Sequence, residues 1–284
     1  MIEPRSWLFV PADSERKVAK ALESEADAII FDLEDSVTHE LKPVGRDLLK
    51  NLPKRSGGPQ WWVRVNPLGS EYLRDDLELL GLADIHGIVL PKAEGGADVT
   101  ELAHRTGTIP IHAIVTETAA SLFGLLSYRQ PGSPLAAMSW GAEDLSAALG
   151  ASTKTDADGA LSFTYRLARS LCLAGAVAAG VQPVDGVFAD FRNLDGLQAE
   201  AEAAHREGFT GKLAIHPGQV AIINAAFTPS PDDVSHAEEI VAAFEAHPDA
   251  GVLSVGGKMV DRPHLVQARR ILERAQGDPN GDDS

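Results

Sequence analysis

Trp7-Leu8-Phe9-Val10-Pro11-Ala12-Asp13-Ser14, residues 7–14, is the stretch on which the choice of fold turns. Its first four residues form a continuous apolar run, as expected of a parallel strand buried on both faces. In a doubly wound open sheet, the turn after such a first strand carries a glycine-rich phosphate loop. Here the turn reads Pro-Ala-Asp-Ser and leads into helical spacing over residues 14–24. Working outward, comparable runs recur at 28–31, 61–65, 87–90, 111–115, 136–140, 185–188 and 213–215. Polar stretches and helical patterns separate them, as at 195–207. Eight such units in succession predict an α/β fold, a (β/α)8 TIM barrel over residues 1–227.

Beyond the eighth strand, FTPSPDD (227–233) marks a boundary with two prolines and an N-cap for a helix starting near Val234. A C-terminal helical extension or lid is expected over 228–276. It comprises a helix at 234–247, a turn at Gly256-Gly257 and a helix at 263–275. A polar, disordered tail is expected over 277–284.

The chain of 284 residues is 44% hydrophobic and 23% charged, ample for one large core. No run reaches the ~18–20 apolar residues that cross a bilayer. The most apolar stretch, 171–181, is short and reads as a buried helix. The first residues lack the basic-then-apolar pattern of a secretory signal. A lone cysteine, Cys172, forms no internal disulfide, and a cytoplasmic location fits. The formal net charge of −16 argues against nucleic acid as a partner and leaves an anionic small molecule open where basic residues converge. The same excess also reads as a solubility feature.

In a TIM barrel the chemistry sits at the C-terminal ends of the strands. There the sequence places Asp32, Glu34 and Asp35 after the second strand, and Arg64 with Asn66 at the third. Lys92 and Glu94 follow the fourth, Glu117 the fifth, Glu143 and Asp144 the sixth, and His216 the eighth. Glu117 and Asp144, two carboxylates from different strands, suit a hard oxygen-loving cation such as Mg²⁺. They also read as acids favoured at helix starts. The nine histidines show no zinc-type spacing. Arg64, on an apolar strand, requires an anion: a substrate carboxylate, or a structural partner from Asp32-Leu33-Glu34-Asp35. Arg16, Lys17 and Lys20 share one face of the first helix or its edge, suited to the phosphates of a ligand or simply to solvent.

With these residues in view, the chain resembles the citrate lyase β-subunit-like branch of the HpcH/HpaI aldolase/citrate lyase superfamily, with malyl-CoA and citramalyl-CoA lyases among its relatives. The carrying segments are RSWLFVPAD (5–13), ADAIIFDLEDSV (26–37), RVNPLG (64–69), LPKAE (90–94), TET (116–118), WGAEDL (140–145), GFTGKLAIHPGQV (208–220) and GGKMVDRPHLVQA (256–268). One departure is Ala12, where close relatives often have glycine after the proline.

The resemblance implies that Glu117 and Asp144 hold Mg²⁺ and that Arg64 grips the carboxylate of the small acid. It places Asp32 and Glu34 near the metal's waters, and Lys212 and His216 near the acyl-CoA. Asp261 matches an acid/base that relatives deliver from a lid over a neighbouring subunit, in a homotrimer. From its position alone, Asp261 is equally an N-cap before Pro263. The implied reaction is cleavage or formation of a 3-hydroxyacyl-CoA, such as malyl-, citramalyl- or citryl-CoA, into an acyl-CoA and a 2-keto acid. Two alternatives stand beside it: an aldolase acting on free keto acids, and a non-catalytic acyl-CoA-binding or complex subunit.

Overall fold

The computed structural model describes residues 3–53, 57–81 and 84–276; the expected tail at 277–284 lies outside them. The described residues form two compact units, Glu3–Asn224 and 225–276.

In the first unit, eight strands close into a barrel in sequence order. They are β1 (Ser6–Pro11), β2 (Ala28–Asp32), β3 (Gln60–Arg64), β4 (Gly87–Leu90), β5 (Ile111–Val115), β6 (Leu135–Trp140), β7 (Gln182–Asp185) and β8 (Gly211–Ala214). Every neighbouring pair is parallel, and β1 closes the ring against β8. The helices of this unit are α1 (Glu15–Leu22), α2 (Lys42–Lys50), α3 (Leu73–Leu77), α4 (Gly96–Thr106), α5 (Ser121–Gly124), α6 (Ala142–Leu149), α7 (Phe163–Ala179) and α8 (Leu194–Glu207). A further helix, α9 (Val220–Phe227), follows. The TIM-barrel expectation holds.

The barrel interior is filled from β1 through β8 by Trp7, Ala28, Ile30, Trp62, Val89, Ile114, Ala137, Val184 and Leu213. Each large aliphatic side chain so buried is worth roughly 1.5–3 kcal/mol. The two indoles meet at 4.9 Å, and His112 stands edge-on to Trp7 at 4.6 Å. Gly87 is the residue that allows this packing, since a Cβ there would lie 2.1 Å from the Trp62 ring. Burial pushes the His112 imidazole down to about 3, so it is neutral and shares a hydrogen bond of 2.9 Å with Ser139. The base of the barrel is thus a plugged core, and space for chemistry exists only above it.

The seventh strand departs from expectation: it spans Gln182–Asp185 rather than 185–188. Pro183 made the true strand look broken. The Pro183 carbonyl accepts from the Thr210 amide at 3.0 Å, and its missing N–H faces chain that precedes the start of β8 at Gly211. The proline therefore costs no ladder bond.

In the second unit, α10 (Pro231–Ala246) starts three residues before the expected Val234. Ser230 caps it in a reciprocal pair with Asp233, and Pro231 occupies the first turn, where its fixed φ suits a helix. The Gly256-Gly257 turn proves to be the tip of an antiparallel hairpin, β9 (Val252–Val255) and β10 (Lys258–Asp261). Both glycines have positive φ, 54° and 77°, as a two-residue hairpin loop demands. Helix α11 (Arg262–Gln276) follows, and Ala237, Ile240, Phe244, Val255, Val260, Leu265 and Ala268 form this unit's own core.

Candidate active site

Strand register puts the first two site residues together. Arg64, the last residue of β3, lies opposite Asp32, the last of β2. Arg64 donates from Nε and Nη2 to the two Asp32 oxygens at 2.7 and 2.6 Å, a bidentate fork. Its Nη1 lies 3.0 Å from Glu34 Oε2, an ion contact rather than an aligned hydrogen bond. The guanidinium rests over the Phe9 ring at 4.9 Å. Of five N–H donors, two are spent on Asp32 and one faces Glu34, which leaves two for a ligand. The structural partner and the ligand-gripping role are therefore compatible.

Asp32 also turns the following loop, accepting from the amides of Glu34 at 2.9 Å and Ser36 at 3.2 Å. Burial works against its charge, but Arg64 and these donors hold its carboxyl below the usual range. Behind the loop, Lys42 Nζ donates to the carbonyls of Leu33 and Glu34 at 2.7 and 2.9 Å. Asn66 donates to Leu33 O at 3.0 Å and is itself held by Asp76 at 2.7 Å. The acidic loop is thus rigidly backed. Glu34 differs from Asp32: burial pushes it up, and Arg64 and Lys92 only partly offset this.

The other carboxylates arrive from β5 and β6. Glu117 follows β5, is buried, and accepts from the Lys92 backbone N–H at 2.5 Å. Its neighbours in sequence and space are under strain. Lys92 and Thr116 are the two non-glycine residues with positive φ among the described residues, 53° and 62°. For a β-branched threonine this costs about 1–3 kcal/mol, a cost that clusters at functional sites. Gly141, just after β6, leaves room for Glu117, since a Cβ there would lie 2.6 Å from Glu117 Cγ. Asp144 lies in the first turn of α6. Lys92 Nζ sits 3.4 Å from Asp144 Oδ1 and 3.0 Å from Asp35 Oδ2, and it also donates to Glu34 Oε1.

Five carboxylates (Asp32, Glu34, Asp35, Glu117, Asp144) thus face three cations, Arg64, Lys92 and, behind the acidic loop, Lys42. Glu117 shows the consequence: burial first, with Asp144 and Glu34 adding, pushes it up to about 8. A carboxyl raised by burial and by neighbouring carboxylates, with no His or Cys among the acids beside it, fits a hard divalent cation such as Mg²⁺. Among the described residues no three His, Cys, Asp or Glu side chains converge as a closed metal cage. Two protein carboxylates with water and ligand oxygens completing the shell is the arrangement Mg²⁺ favours.

The remaining expected residues lie in three places. His216 follows β8, accepts from the Gly218 amide at 3.0 Å and stacks on Phe191 at 5.0 Å. Arg16 and Lys17, in the first turn of α1, are exposed and form no ion pair among the described residues. Asp261 belongs to the second unit. It directly precedes α11 and pairs with His264 Nδ1 at 2.5 Å, which holds its carboxyl below the usual range. Lys212 is fully buried and paired with Asp185 at 2.7 Å and Glu200 at 2.8 Å, so its ammonium is not presented at the surface. Sequence reading gave no role to the Lys92 backbone, Thr116 or Gly141. The first two carry no compositional signal, and Gly141 had one only in its place just before Glu143-Asp144.

A closed eight-stranded barrel with acids, an arginine and a lysine gathered from successive strand ends has the layout of a TIM-barrel enzyme, with a mouth whose carboxylates suit a cation. The chain belongs to the HpcH/HpaI aldolase/citrate lyase family, whose model matches residues 5–217. A second model, a C–C bond lyase of the TIM-barrel fold, matches residues 160–277. The chain is 38% identical over 278 residues to a (3S)-malyl-CoA thioesterase of Cereibacter sphaeroides, covering 96% of this chain and 94% of that one. It is 33% identical over 297 residues to the mitochondrial citramalyl-CoA lyase of Mus musculus, covering 95% and 86%. Among solved structures, it is similar to the protein CitE of Mycobacterium tuberculosis in complex with magnesium, acetoacetate and coenzyme A. The TM-score there is 0.81 at 36% identity, covering 96% of this chain and 98% of that one.

Proposed function

We propose that this chain is a Mg²⁺-dependent carbon–carbon lyase that cleaves, or forms, a 3-hydroxyacyl-CoA to give an acyl-CoA and a 2-keto acid. The observation that carries this is the excess of carboxylate at the barrel mouth, with Glu117 and Asp144 both drawn to Lys92 and Arg64 alongside. Glu117 and Asp144 would hold the metal. When bound, Mg²⁺ supplies a Lewis acid for the hydroxyl or keto oxygen and the adjacent carboxylate.

The rest is the work of this chain's own side chains. Arg64 offers its two uncommitted N–H donors to the substrate carboxylate, and Asp32, kept ionised, locks the guanidinium so that binding energy becomes orientation. Glu34, raised by burial, is the better of the two acidic-loop carboxylates for holding a proton from the substrate hydroxyl. Asp261, delivered by a lid over a neighbouring subunit, is the proposed acid for the departing enolate; held below the usual range beside His264, it would take up that proton only on leaving this pair. Arg16, Lys17 and His216 are the proposed contacts for the CoA portion.

A homotrimer is the proposed assembly. It is supported by apolar side chains exposed on this unit: Phe123 at 90%, Leu126 at 75%, and Phe163, Leu167 and Leu171 spaced four apart along α7. A cytoplasmic location is proposed on the single, buried Cys172, and no helix among the described residues is long and apolar enough to cross a membrane.

Thioester hydrolysis is the second reading, favoured by the 38% identity to a (3S)-malyl-CoA thioesterase. Product analysis with malyl-, citramalyl- and citryl-CoA, with and without Mg²⁺, tests both. Acetyl-CoA plus a keto acid supports the lyase. Free CoA plus the intact hydroxy acid supports hydrolysis. No Mg²⁺-dependent product from any of the three overturns both.

A further inference from the structure

Lys92 stands where the two candidate metal carboxylates meet, and its two ends act differently. Its backbone N–H, presented by the positive-φ conformation, donates to Glu117 Oε2. Its ammonium reaches past the end of β3 to the acidic loop, donating to Glu34 and Asp35, and comes within 3.4 Å of Asp144 Oδ1. No other lysine or arginine among the described residues pairs with Asp144. The ammonium is anchored twice by the loop, so its contact with Asp144 is the longest and weakest of its three.

A dication held by Glu117 and Asp144 and this ammonium draw on the same carboxylate. Two cations sharing one anion repel each other and divide its charge. We infer that the Lys92 side chain competes with the divalent cation for the Asp144 carboxylate and thereby sets how tightly the mouth holds metal. The backbone N–H and the side chain then have opposed effects: the first presents Glu117 to the metal, and the second weakens the site. An enzyme that must let substrate oxygens reach the metal gains from such moderation, because a cation buried under a fully committed carboxylate shell resists ligand exchange. Lys92 is by this account a positioning residue that tunes affinity rather than a catalytic one. The inference rests on the metal reading above.

The test is a calorimetric titration of the full chain, freed of metal by chelator and dialysis, with Mg²⁺ and then Mn²⁺. Lys92→Met and Lys92→Gln, which keep the backbone N–H and remove the charge, are expected to bind about tenfold more tightly than the parent protein. Lys92→Arg, which keeps a cation, is expected to stay within about threefold of it. A lysine that merely props up the site would show the reverse, with weaker binding in both neutral variants. Unchanged or weaker binding in whichever neutral variant folds overturns the inference while leaving the metal site intact. If the parent protein itself binds neither cation, the metal reading fails, and the inference with it.

Discussion

Asp185 and Glu117 are both buried carboxylates at the ends of barrel strands, yet burial leaves them in opposite states. Asp185 ends β7 and accepts from Lys212 Nζ at 2.7 Å, Arg169 Nε at 2.8 Å and Trp140 Nε1 at 2.8 Å. Burial alone would raise it, but those cations hold it at about 2. Glu117 has one backbone N–H and the charge of Arg64 in its favour, outweighed by burial and two neighbouring carboxylates, and is pushed up to about 8. The Asp185 cluster is complete as it stands and stitches β6, β7 and β8 to α7 and α8. The Glu117 cluster is short of positive charge. The lesson is that a buried ion network reads as scaffold when its acids are compensated and as a site when they are not.

The largest expected effect would break this contrast outright. Glu117→Gln and Asp144→Ala should each reduce Mg²⁺-dependent turnover by about a thousandfold or more while the far-ultraviolet spectrum is retained, since a catalytic metal supplies several kcal/mol. Steady-state kinetics checks this; unchanged turnover in either variant would remove that residue from the site. At the other cluster the effect should fall on stability. Asp185→Ala leaves Lys212 buried beside only Glu200 and is expected to cost about 3–5 kcal/mol in denaturant unfolding, with Mg²⁺ affinity unchanged.

pH sharpens the comparison because the two signs differ. The Asp185 carboxyl is depressed from 3.8 to about 2, so its contribution is present above 3.8 and lost as pH falls through 2. Asp185→Asn should remove about 2 kcal/mol of that acid dependence. The Glu117 carboxyl is raised from 4.5 to about 8. In chelator, its stability contribution is full below 4.5 and declines as pH rises toward 8, by roughly 5 kcal/mol at most. Glu117→Gln should flatten that slope, as followed by unfolding midpoints across pH. The smallest effect is expected at Gly141→Ala. Its methyl would crowd the Glu117 side chain and weaken Mg²⁺ binding by about tenfold in a calorimetric titration, without loss of fold.

Much of this architecture was legible in the sequence because apolar runs and their spacing report directly on burial. Seven strands emerged near their true bounds, and β7 was displaced by three residues because Pro183 hid it. Arg64, Asp32, Glu34, Glu117 and Asp144 were identifiable as strand-end polar residues, and the structure gathers them at one mouth. Lys92 shows what sequence could not supply. Its side chain was visible as a charge on the rim, but its hold on Glu117 is made by a backbone N–H whose direction depends on one positive φ. Lys212 shows the converse: a charge that looks free in sequence is spent on Asp185, because a strand residue faces inward or outward according to register, and here it faces the helices. The reciprocal cap on α10 is written in Ser230-Pro231-Asp232-Asp233, and the helix starts three residues before the expected Val234 because Pro231 occupies its first turn.

Anomalous diffraction from crystals grown with Mn²⁺ would locate the divalent cation on which the proposed chemistry depends. One strong peak is expected at the barrel mouth, within coordination distance of a Glu117 oxygen and an Asp144 oxygen, and absent in Asp144→Ala. A peak elsewhere in the molecule, or none at the mouth, would contradict the proposed metal site.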